Sequence, residues 1–345
     1  MAVRRHRRAA CVVATRWLSH PGHRPRVGSM EPLFQGATPC IGSPAMPPPA
    51  SHTPSDGGHL DLVPLAVWPC AQTSAQYQRA GRYLPASTRH PGKMLPELAR
   101  RLVAEYSPPQ GLVVDPMCGI GTTLIEAAAL GHQAVGVELE PRWAELTRAN
   151  LDHALPAELA ARAEVRVGDA RRLPELLADL TGRIDLLVTS PPYACEAGMI
   201  DKPAWRAGQP LCRKDTLNYS RDPANLGHVR GDKWQAGIAE VLAGCADVLR
   251  PGGLLVTVTK NTRRAGRLND LATATIRLAN QAGFGYLQHI VVLHAAVRDG
   301  GLIARPSFWQ LTQIRKARAR GEPAHLVVHE DVLVFHRPLQ PGARA

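Results

Sequence analysis

The chain of 345 residues contains seven cysteines, but no two of them have Cys-x-x-Cys spacing. A zinc ribbon or a disulfide framework is therefore not expected, and isolated cysteines are typical of a reducing compartment. The sequence also lacks an apolar run of about 18 residues, which a membrane-spanning helix would need. These absences predict a cytoplasmic protein with no metal site and no membrane segment.

Acidic residues are absent from the first 30 positions, which contain seven arginines. This stretch carries +7 of the formal net charge of +12 at pH 7, so the remaining 315 residues carry only +5. A strongly basic chain indicates a nucleic-acid partner, but here the excess charge is concentrated at one end. The rest of the chain is mildly basic, and charge alone does not identify the partner.

Periodicity is lacking in residues 1–58, which are rich in Pro, Gly, Ser, His and Arg. We predict a disordered basic tail there. Residues 59–89 form a lead-in segment whose structure the pattern leaves open. Residues 90–338 show regular alternation of apolar and amphipathic segments, which predicts one folded domain, and residues 339–345 are expected to be a flexible C-terminus.

Short apolar strands alternate with helical segments through this domain. The pattern predicts an α/β fold, namely a Rossmann-like, doubly wound, mostly parallel seven-stranded sheet with helices on both faces. The predicted strands are 111–115, 134–138, 165–168, 184–190, 254–259, 286–293 and 331–336. The predicted helices are 96–104, 122–130, 142–154, 173–180, 234–248 and 269–283, with a turn at 250–253. Two polar insertions, 194–233 and 298–329, interrupt the order, and such insertions commonly carry substrate contacts.

A glycine-containing loop joins the first of these strands to its helix. Gly119 and Gly121 allow the backbone to turn sharply and to approach a ligand closely. Glu138 ends the next strand, where a carboxylate can accept both hydroxyls of a ribose, and Asp169 follows the third strand, where it can accept from an adenine amine. A nicotinamide site is the rival interpretation, but its third glycine is missing, and Asp115 would place negative charge against a pyrophosphate. An acid in this loop favours a cationic ligand with an amino-acid moiety.

A second unusual loop, Ser190-Pro191-Pro192-Tyr193, follows the apolar run 184–188. Prolines lack the N–H that a central strand needs, so the strand must end there. Ser190 can bond an amine, a proline carbonyl can accept from the same amine, and Tyr193 can stack on a flat base. This combination indicates chemistry on an exocyclic amine, and the four residues are the predicted catalytic residues.

The segment Asp-Pro-Met-Cys-Gly-Ile-Gly-Thr-Thr at 115–123 resembles the glycine-rich loop of class I S-adenosylmethionine-dependent methyltransferases. Thr-Ser-Pro-Pro-Tyr at 189–193 resembles the catalytic loop of the nucleic-acid amino-methyltransferases in that superfamily. His-Pro-Gly-Lys-Met at 90–94 resembles their N-terminal cofactor-contacting motif. The resemblance covers residues 90–337 and implies S-adenosylmethionine as the cofactor. The cofactor-binding residues it implies are His90, Lys93, Asp115, Met117, Cys118, Gly119, Gly121, Thr122, Thr123, Glu138 and Asp169.

Serine before Pro-Pro-Tyr is typical of cytosine N(4) DNA methyltransferases, so the resemblance implies methylation of cytosine N(4) in DNA, as in restriction-modification systems. The loop at 115–123 is also similar to that of tRNA guanosine N(2)-methyltransferases, which keeps an RNA substrate open. Only 75 residues separate Asp115 from Ser190, so no large recognition domain fits between them. A small-molecule or protein methyltransferase and a non-catalytic partner are further alternatives. The predicted substrate contacts are Lys202, Arg213, Arg230 and Lys260.

Overall fold

The computed structural model of the chain describes residues 64–193, 222–264, 267–306 and 308–339. The predicted tail at 1–58 lies outside these ranges, as do Lys202 and Arg213 in the first insertion and all but the first residue of the predicted C-terminal segment 339–345. In the described ranges, every helix is too short or too polar to cross a membrane.

The described residues contain twelve strands and nine α-helices. The strands are β1 (Val67–Trp68), β2 (Leu112–Asp115), β3 (Gln133–Glu138), β4 (Ala163–Val167), β5 (Ile184–Thr189), β6 (Leu249–Thr259), β7 (Thr262–Arg264), β8 (Arg267–Asn269), β9 (Gly285–Leu293), β10 (Ala295–Arg298), β11 (Gly301–Ala304) and β12 (His329–His336). The helices are α1 (Ala75–Arg79), α2 (Pro96–Tyr106), α3 (Thr122–Ala129), α4 (Pro141–Ala154), α5 (Ala157–Ala160), α6 (Leu173–Leu176), α7 (Gly231–Val248), α8 (Leu271–Gln281) and α9 (Phe308–Ala319).

Eight strands form one sheet in the order β1-β9-β12-β6-β5-β2-β3-β4. Neighbouring strands are parallel, except that β12 runs antiparallel to both β6 and β9. The other four strands form two hairpins, β7–β8 and β10–β11. The predicted doubly wound, mostly parallel fold is confirmed. The sheet has one strand more than the seven predicted, because the two-residue β1 pairs with β9 at the edge.

Apolar side chains on alternate positions of the strands bury both faces of the sheet. Along β5, Leu186 and Val188 join a core cluster with residues of α2, α3 and α4. Leu187, between them, joins a second cluster with residues of α6, α7 and α8. A single strand thus contributes to two cores, which explains why 184–188 reads as a continuous apolar run.

The chain reverses its direction of travel across the sheet at β2. From β2 it proceeds outward to β3 and β4, and then returns to β5 on the other side of β2. Strands that diverge in this way open a crevice at their carboxyl ends, where α/β proteins bind ligands. Asp115 ends β2 and Thr189 ends β5, so both unusual loops begin at this crevice.

Three segments differ from their predicted form. The predicted helix 173–180 is broken, because Leu177 leaves helical geometry (φ −122°, ψ 24°) between α6 and a 3₁₀ turn, Ala178–Leu180. The predicted turn at 250–253 is a bulge inside β6, where the pairing with β5 skips from Leu249 to Leu254 and Gly252 has φ 73°. The second insertion contains regular structure, since half of it folds into β11 and α9.

Candidate functional site

The glycine loop between β2 and α3 is packed tightly against α4. Gly119 and Gly121 have φ of 57° and 82°, the left-handed region that favours glycine. The Thr147 hydroxyl donates to the Gly119 carbonyl at 2.7 Å. A Cβ on Gly121 would lie 2.4 Å from Thr147 Cγ2, which is closer than real atoms approach. Glycine is therefore required at 121 by both backbone conformation and space.

Asp115 braces this loop from inside. Its carboxylate accepts hydrogen bonds from the Met117 N–H at 3.0 Å and from the Thr123 hydroxyl at 2.6 Å. The side chain is buried, and burial raises the pKa of the carboxyl to about 6 despite these two bonds. The acid that the sequence places in the loop thus ties the start of the loop to the first turn of α3.

Glu138 ties the end of β3 to the same loop. One carboxylate oxygen accepts from the Gly119 N–H and the other from the Glu140 N–H, each at 2.9 Å. Burial raises the pKa of this carboxyl to about 7. Each oxygen has a further lone pair beyond the bond it already accepts, so the ionised group retains capacity for two more donors.

The two raised pKa values predict that stability declines with pH. The unfolded chain releases these protons near pH 3.8 and 4.5, whereas the folded protein holds them up to about pH 6 and 7. The stability gained by holding these two protons is therefore fully present below the pKa values of the unfolded chain. It is lost as pH rises through the pKa values of the folded protein, about 6 and 7. For Glu138 alone the loss is on the order of 3 kcal/mol.

Urea unfolding of the wild type and of Glu138→Gln, measured from pH 4.5 to pH 8, checks this expectation. The variant cannot ionise at 138, so its free energy of unfolding should decline less across that range. Parallel curves for the two proteins would contradict the assignment of a raised pKa to Glu138.

His90 lies beneath the glycine loop. A Cβ on Gly119 would lie 3.1 Å from the His90 ring, and the same ring contacts Trp143 edge-on with centroids 4.9 Å apart. Burial, together with the nearby Lys93 charge, lowers the pKa of His90 to about 3, so the ring is neutral. Lys93 donates to the His90 carbonyl, which folds the predicted N-terminal motif back on itself. The structure therefore brings this motif to the loop at 115–123.

The remaining predicted loop residues face different surroundings. The Cys118 side chain is buried under the loop against Gly136, and burial raises the pKa of its thiol. Met117 packs at the edge of the core cluster that contains α7, and Thr122 is buried at the start of α3. The Cys118 side chain thus points away from the loop surface, and its backbone N–H donates to the Val137 carbonyl at 2.9 Å.

Asp169 lies at the end of β4, as the sequence predicts, but its carboxylate already has a cationic partner. The Arg171 guanidinium contacts both carboxylate oxygens, with the closest approach at 2.5 Å. Partial burial opposes ionisation, yet the bonds from Arg171 lower the pKa of Asp169. An adenine amine would have to compete with Arg171 for this carboxylate.

The Ser190–Tyr193 loop is held by side chains from two other elements. Trp234, in the first turn of α7, donates from its indole N–H to the Pro192 carbonyl at 2.8 Å. The Tyr193 hydroxyl donates to Glu330 Oε1 at 3.2 Å, and Ser190 Oγ lies 3.3 Å from the same hydroxyl. Glu330 stands near the start of β12, and its other oxygen lies 2.9 Å from His294 Nε2. Pro192 and Tyr193 are thus anchored from two sides, by α7 and by β12.

The predicted substrate contacts fall in different places. Arg230 is the N-cap of α7, and Lys260 follows β6 at the carboxyl edge of the sheet. The charge of Lys260 reaches Glu330 and helps to lower the pKa of that carboxyl. Lys202 and Arg213 lie outside the described residues.

Sequence reasoning missed four residues that surround the site, namely Glu140, Asn225, Trp234 and Glu330. Asn225 donates to Glu140 at 2.9 Å and so connects the end of the first insertion to the loop after β3. Glu330 lies 137 residues from Tyr193 in the chain, so local pattern gave no signal for it. The other contacts join residues 42 or more positions apart, and local pattern does not indicate them.

Residues 57–149 match the family model described as DNA methylase, of the N6 and N4 type. The predicted resemblance to nucleic-acid amino-methyltransferases is confirmed. The predicted cofactor, S-adenosylmethionine, is likewise confirmed. The match contains the N-terminal motif, the glycine loop and Glu138, and it ends before Asp169 and the Ser190–Tyr193 loop.

Curated relatives are similar to parts of this chain. The chain is 36% identical over 118 residues to the tRNA (guanine(10)-N2)-dimethyltransferase of Methanocaldococcus jannaschii, a match that covers 33% of each protein. It is 39% identical over 59 residues to the type II methyltransferase M.MthZI of Methanothermobacter thermautotrophicus, which covers 17% of each. The matches therefore span a third or less of these relatives. Among solved structures, TrmN from Thermus thermophilus aligns with a TM-score of 0.42 and 18% identity, over 75% of this chain and 53% of that one.

The residues of the two loops and their surroundings fit S-adenosylmethionine. The glycine loop turns sharply at the carboxyl end of β2, and Glu138 keeps two lone pairs at the end of β3 for ribose hydroxyls. The crevice between β2 and β5 joins this surface to Ser190 and Tyr193. Asp169 fits less directly, because Arg171 occupies both of its oxygens.

Proposed function

We propose that the protein methylates an exocyclic amino group of a nucleic-acid base. The observation that carries this proposal is the position of two loops at one crevice. The loop that fits the cofactor follows β2, and the Ser-Pro-Pro-Tyr loop follows β5, the strand beside it. Ligands in doubly wound folds bind at such a crossover point. A cofactor and an amine held there would lie next to each other.

When bound, S-adenosylmethionine supplies a methyl group on a sulfonium centre. The glycine loop and Glu138 would hold the cofactor, with His90 supporting the loop from below. Ser190 Oγ and the Pro191 carbonyl would accept hydrogen bonds from the amine, which keeps electron density on its nitrogen. Tyr193 would stack on the base, which must first leave its helix or come from a single strand. Alignment of the reacting groups would supply most of the rate enhancement.

Cytosine N(4) in DNA is the base we favour. Ser190 stands where many amino-methyltransferases carry Asp or Asn, and serine there is typical of the enzymes that act on cytosine N(4). Similarity to the DNA methylase family over 57–149 supports a DNA substrate. Arg230 and Lys260, with Lys202 and Arg213, would contact phosphates.

Guanine N(2) in an RNA is the second candidate. The observation that favours it is the 118-residue similarity to a tRNA (guanine(10)-N2)-dimethyltransferase, which is longer than the similarity to the type II DNA enzyme. Both bases present a flat ring with an exocyclic amine, so Tyr193 and Ser190 would serve either one.

Modified nucleosides from cells with and without the gene test this proposal. We expect N(4)-methylcytosine to disappear from the DNA when the gene is deleted, as measured by mass spectrometry of nuclease digests. Loss of N(2)-methylguanosine from RNA would instead support the second candidate. Unchanged methylation of every amine in both nucleic acids would contradict the proposed function.

A further inference from the structure

Four side chains form a continuous chain of contacts from Ser190 into the sheet. Ser190 Oγ lies 3.3 Å from the Tyr193 hydroxyl, which donates to Glu330 Oε1 at 3.2 Å. Glu330 Oε2 lies 2.9 Å from His294 Nε2. The four residues come from the loop after β5, the start of β12 and the connection between β9 and β10. Only the contact between Ser190 and Tyr193 is local in sequence, so the tertiary fold assembles these four residues into one array.

The ionisation state of Glu330 decides the direction of the hydrogen bonds in this array. An ionised carboxylate only accepts, so the Tyr193 hydroxyl must give its single proton to Glu330. The Tyr193 oxygen then accepts, and the Ser190 hydroxyl must donate to it. Both lone pairs of Ser190 Oγ are left to face other donors. Each step follows from the number of protons that each group carries.

The surroundings of Glu330 keep it ionised. Burial opposes ionisation, but the His294 contact, the charge of Lys260 and the bond from Tyr193 outweigh burial and lower the pKa of the carboxyl. The array therefore has a fixed acceptor at its inner end.

We propose that Glu330, acting through Tyr193, fixes Ser190 as a hydrogen-bond acceptor for the substrate amine. This inference rests on the proposed function of the same site. The carboxylate of aspartate or the amide oxygen of asparagine is an acceptor in its own right, whereas a serine hydroxyl both donates and accepts. A serine at this position therefore needs a neighbour that takes up its proton. Glu330 is a positioning residue in this scheme, because it does not itself contact the amine.

Glu330→Gln reverses the direction of the array with little change in shape. A glutamine that turns its oxygen toward His294 presents its NH₂ group to Tyr193, whose hydroxyl then donates to Ser190. We expect kcat for methyl transfer to fall tenfold or more, while KM for the nucleic acid and Kd for S-adenosylmethionine stay within twofold. Glu322→Gln is the matched control, because Glu322 pairs with Arg320 before β12 and has no part in the site.

Double variants distinguish this positioning role of Glu330 from a purely structural role, because Glu330→Gln is combined with a second substitution that makes the array unnecessary or already broken. In Ser190→Asn the acceptor no longer depends on a neighbour, so adding Glu330→Gln should change kcat less than twofold. In Tyr193→Phe the connection is already cut, so adding Glu330→Gln should again change little. Equal losses from Glu330→Gln in all three backgrounds would overturn the proposal.

An NMR measurement tests the array without relying on catalysis. The protein is labelled with ¹³C at Cζ of its six tyrosines, and the Tyr193 signal is identified as the one missing from Tyr193→Phe. We expect this signal to shift in Glu330→Gln and not in Glu322→Gln. A signal that does not move would overturn the array, whatever the activity. If the signal moves but the wild type methylates no nucleic acid, the array stands and the proposed function fails.

Discussion

Replacing Tyr193 with alanine is expected to reduce methyl transfer about a hundredfold or more while leaving S-adenosylmethionine affinity within a few fold. Stacking of a base on an aromatic ring contributes about 1–3 kcal/mol, and each 1.36 kcal/mol is a factor of ten in rate. The substitution also removes the hydroxyl that lies between Ser190 and Glu330. Single-turnover rates and calorimetry of cofactor binding on the same preparations measure the two effects separately.

Tyr77→Ala is the control for this substitution. Tyr77 is 73% exposed on α1, so its loss should leave both the rate and the cofactor affinity unchanged. Unchanged turnover in Tyr193→Ala would contradict the proposal that the Tyr193 ring holds the base. A parallel loss of cofactor affinity would show instead that the substitution disturbs the whole crevice.

Gly121→Ala is expected to destabilise the protein and to weaken cofactor binding strongly. The new Cβ would lie 2.4 Å from Thr147 Cγ2, so either α4 or the loop must move. Overpacking of this kind costs about 1–3 kcal/mol, and left-handed backbone at a residue other than glycine costs a further 1–2 kcal/mol. The Gly119 N–H in the same loop donates to Glu138, so displacement of the loop also disturbs the predicted ribose site.

Two variants separate the clash from the backbone strain. Gly131→Ala has the same strain, with φ 85°, but its Cβ would have nothing within 4 Å. It should therefore lose only about 1–2 kcal/mol in urea unfolding and no cofactor affinity. Adding Thr147→Ser to Gly121→Ala removes the methyl group that clashes and keeps the hydroxyl that donates to Gly119. Failure of this second change to restore any stability would contradict the packing described for the loop.

The fold was predictable because each strand and each helix has its own pattern of apolar residues within a short segment of the sequence. The strand 184–190 was predicted within one residue of β5, since apolar residues on both faces leave a continuous run. The bulge in β6 was not predictable, because Arg-Pro-Gly-Gly is an ordinary turn sequence. It stays within a strand because β5 pairs with β6 before and after the bulge, and because Gly252 and Gly253 exchange backbone hydrogen bonds with Arg337, the residue after β12.

The site was predictable in its residue types but not in its internal contacts. Asp115 and Glu138 were expected to face a ligand, and the structure shows them bonded first to the loop's own N–H and hydroxyl groups. Glycine loops bend sharply and leave backbone donors unpaired, so nearby buried carboxylates satisfy them. Glu330 escaped notice because it lies 137 residues from Tyr193, and only the sheet order brings the two together.

The most direct test of the central claim is methyl transfer by the purified protein in vitro. The full chain is incubated with S-adenosylmethionine carrying a ¹³C-labelled methyl group and with either duplex DNA or transfer RNA, and the digested nucleosides are examined by mass spectrometry. We predict label on an exocyclic amine, with N(4)-methylcytosine from DNA as the first expectation, and no label with Ser190→Ala. Label on a ring carbon, or no label in either nucleic acid from a protein that binds the cofactor, would contradict the account.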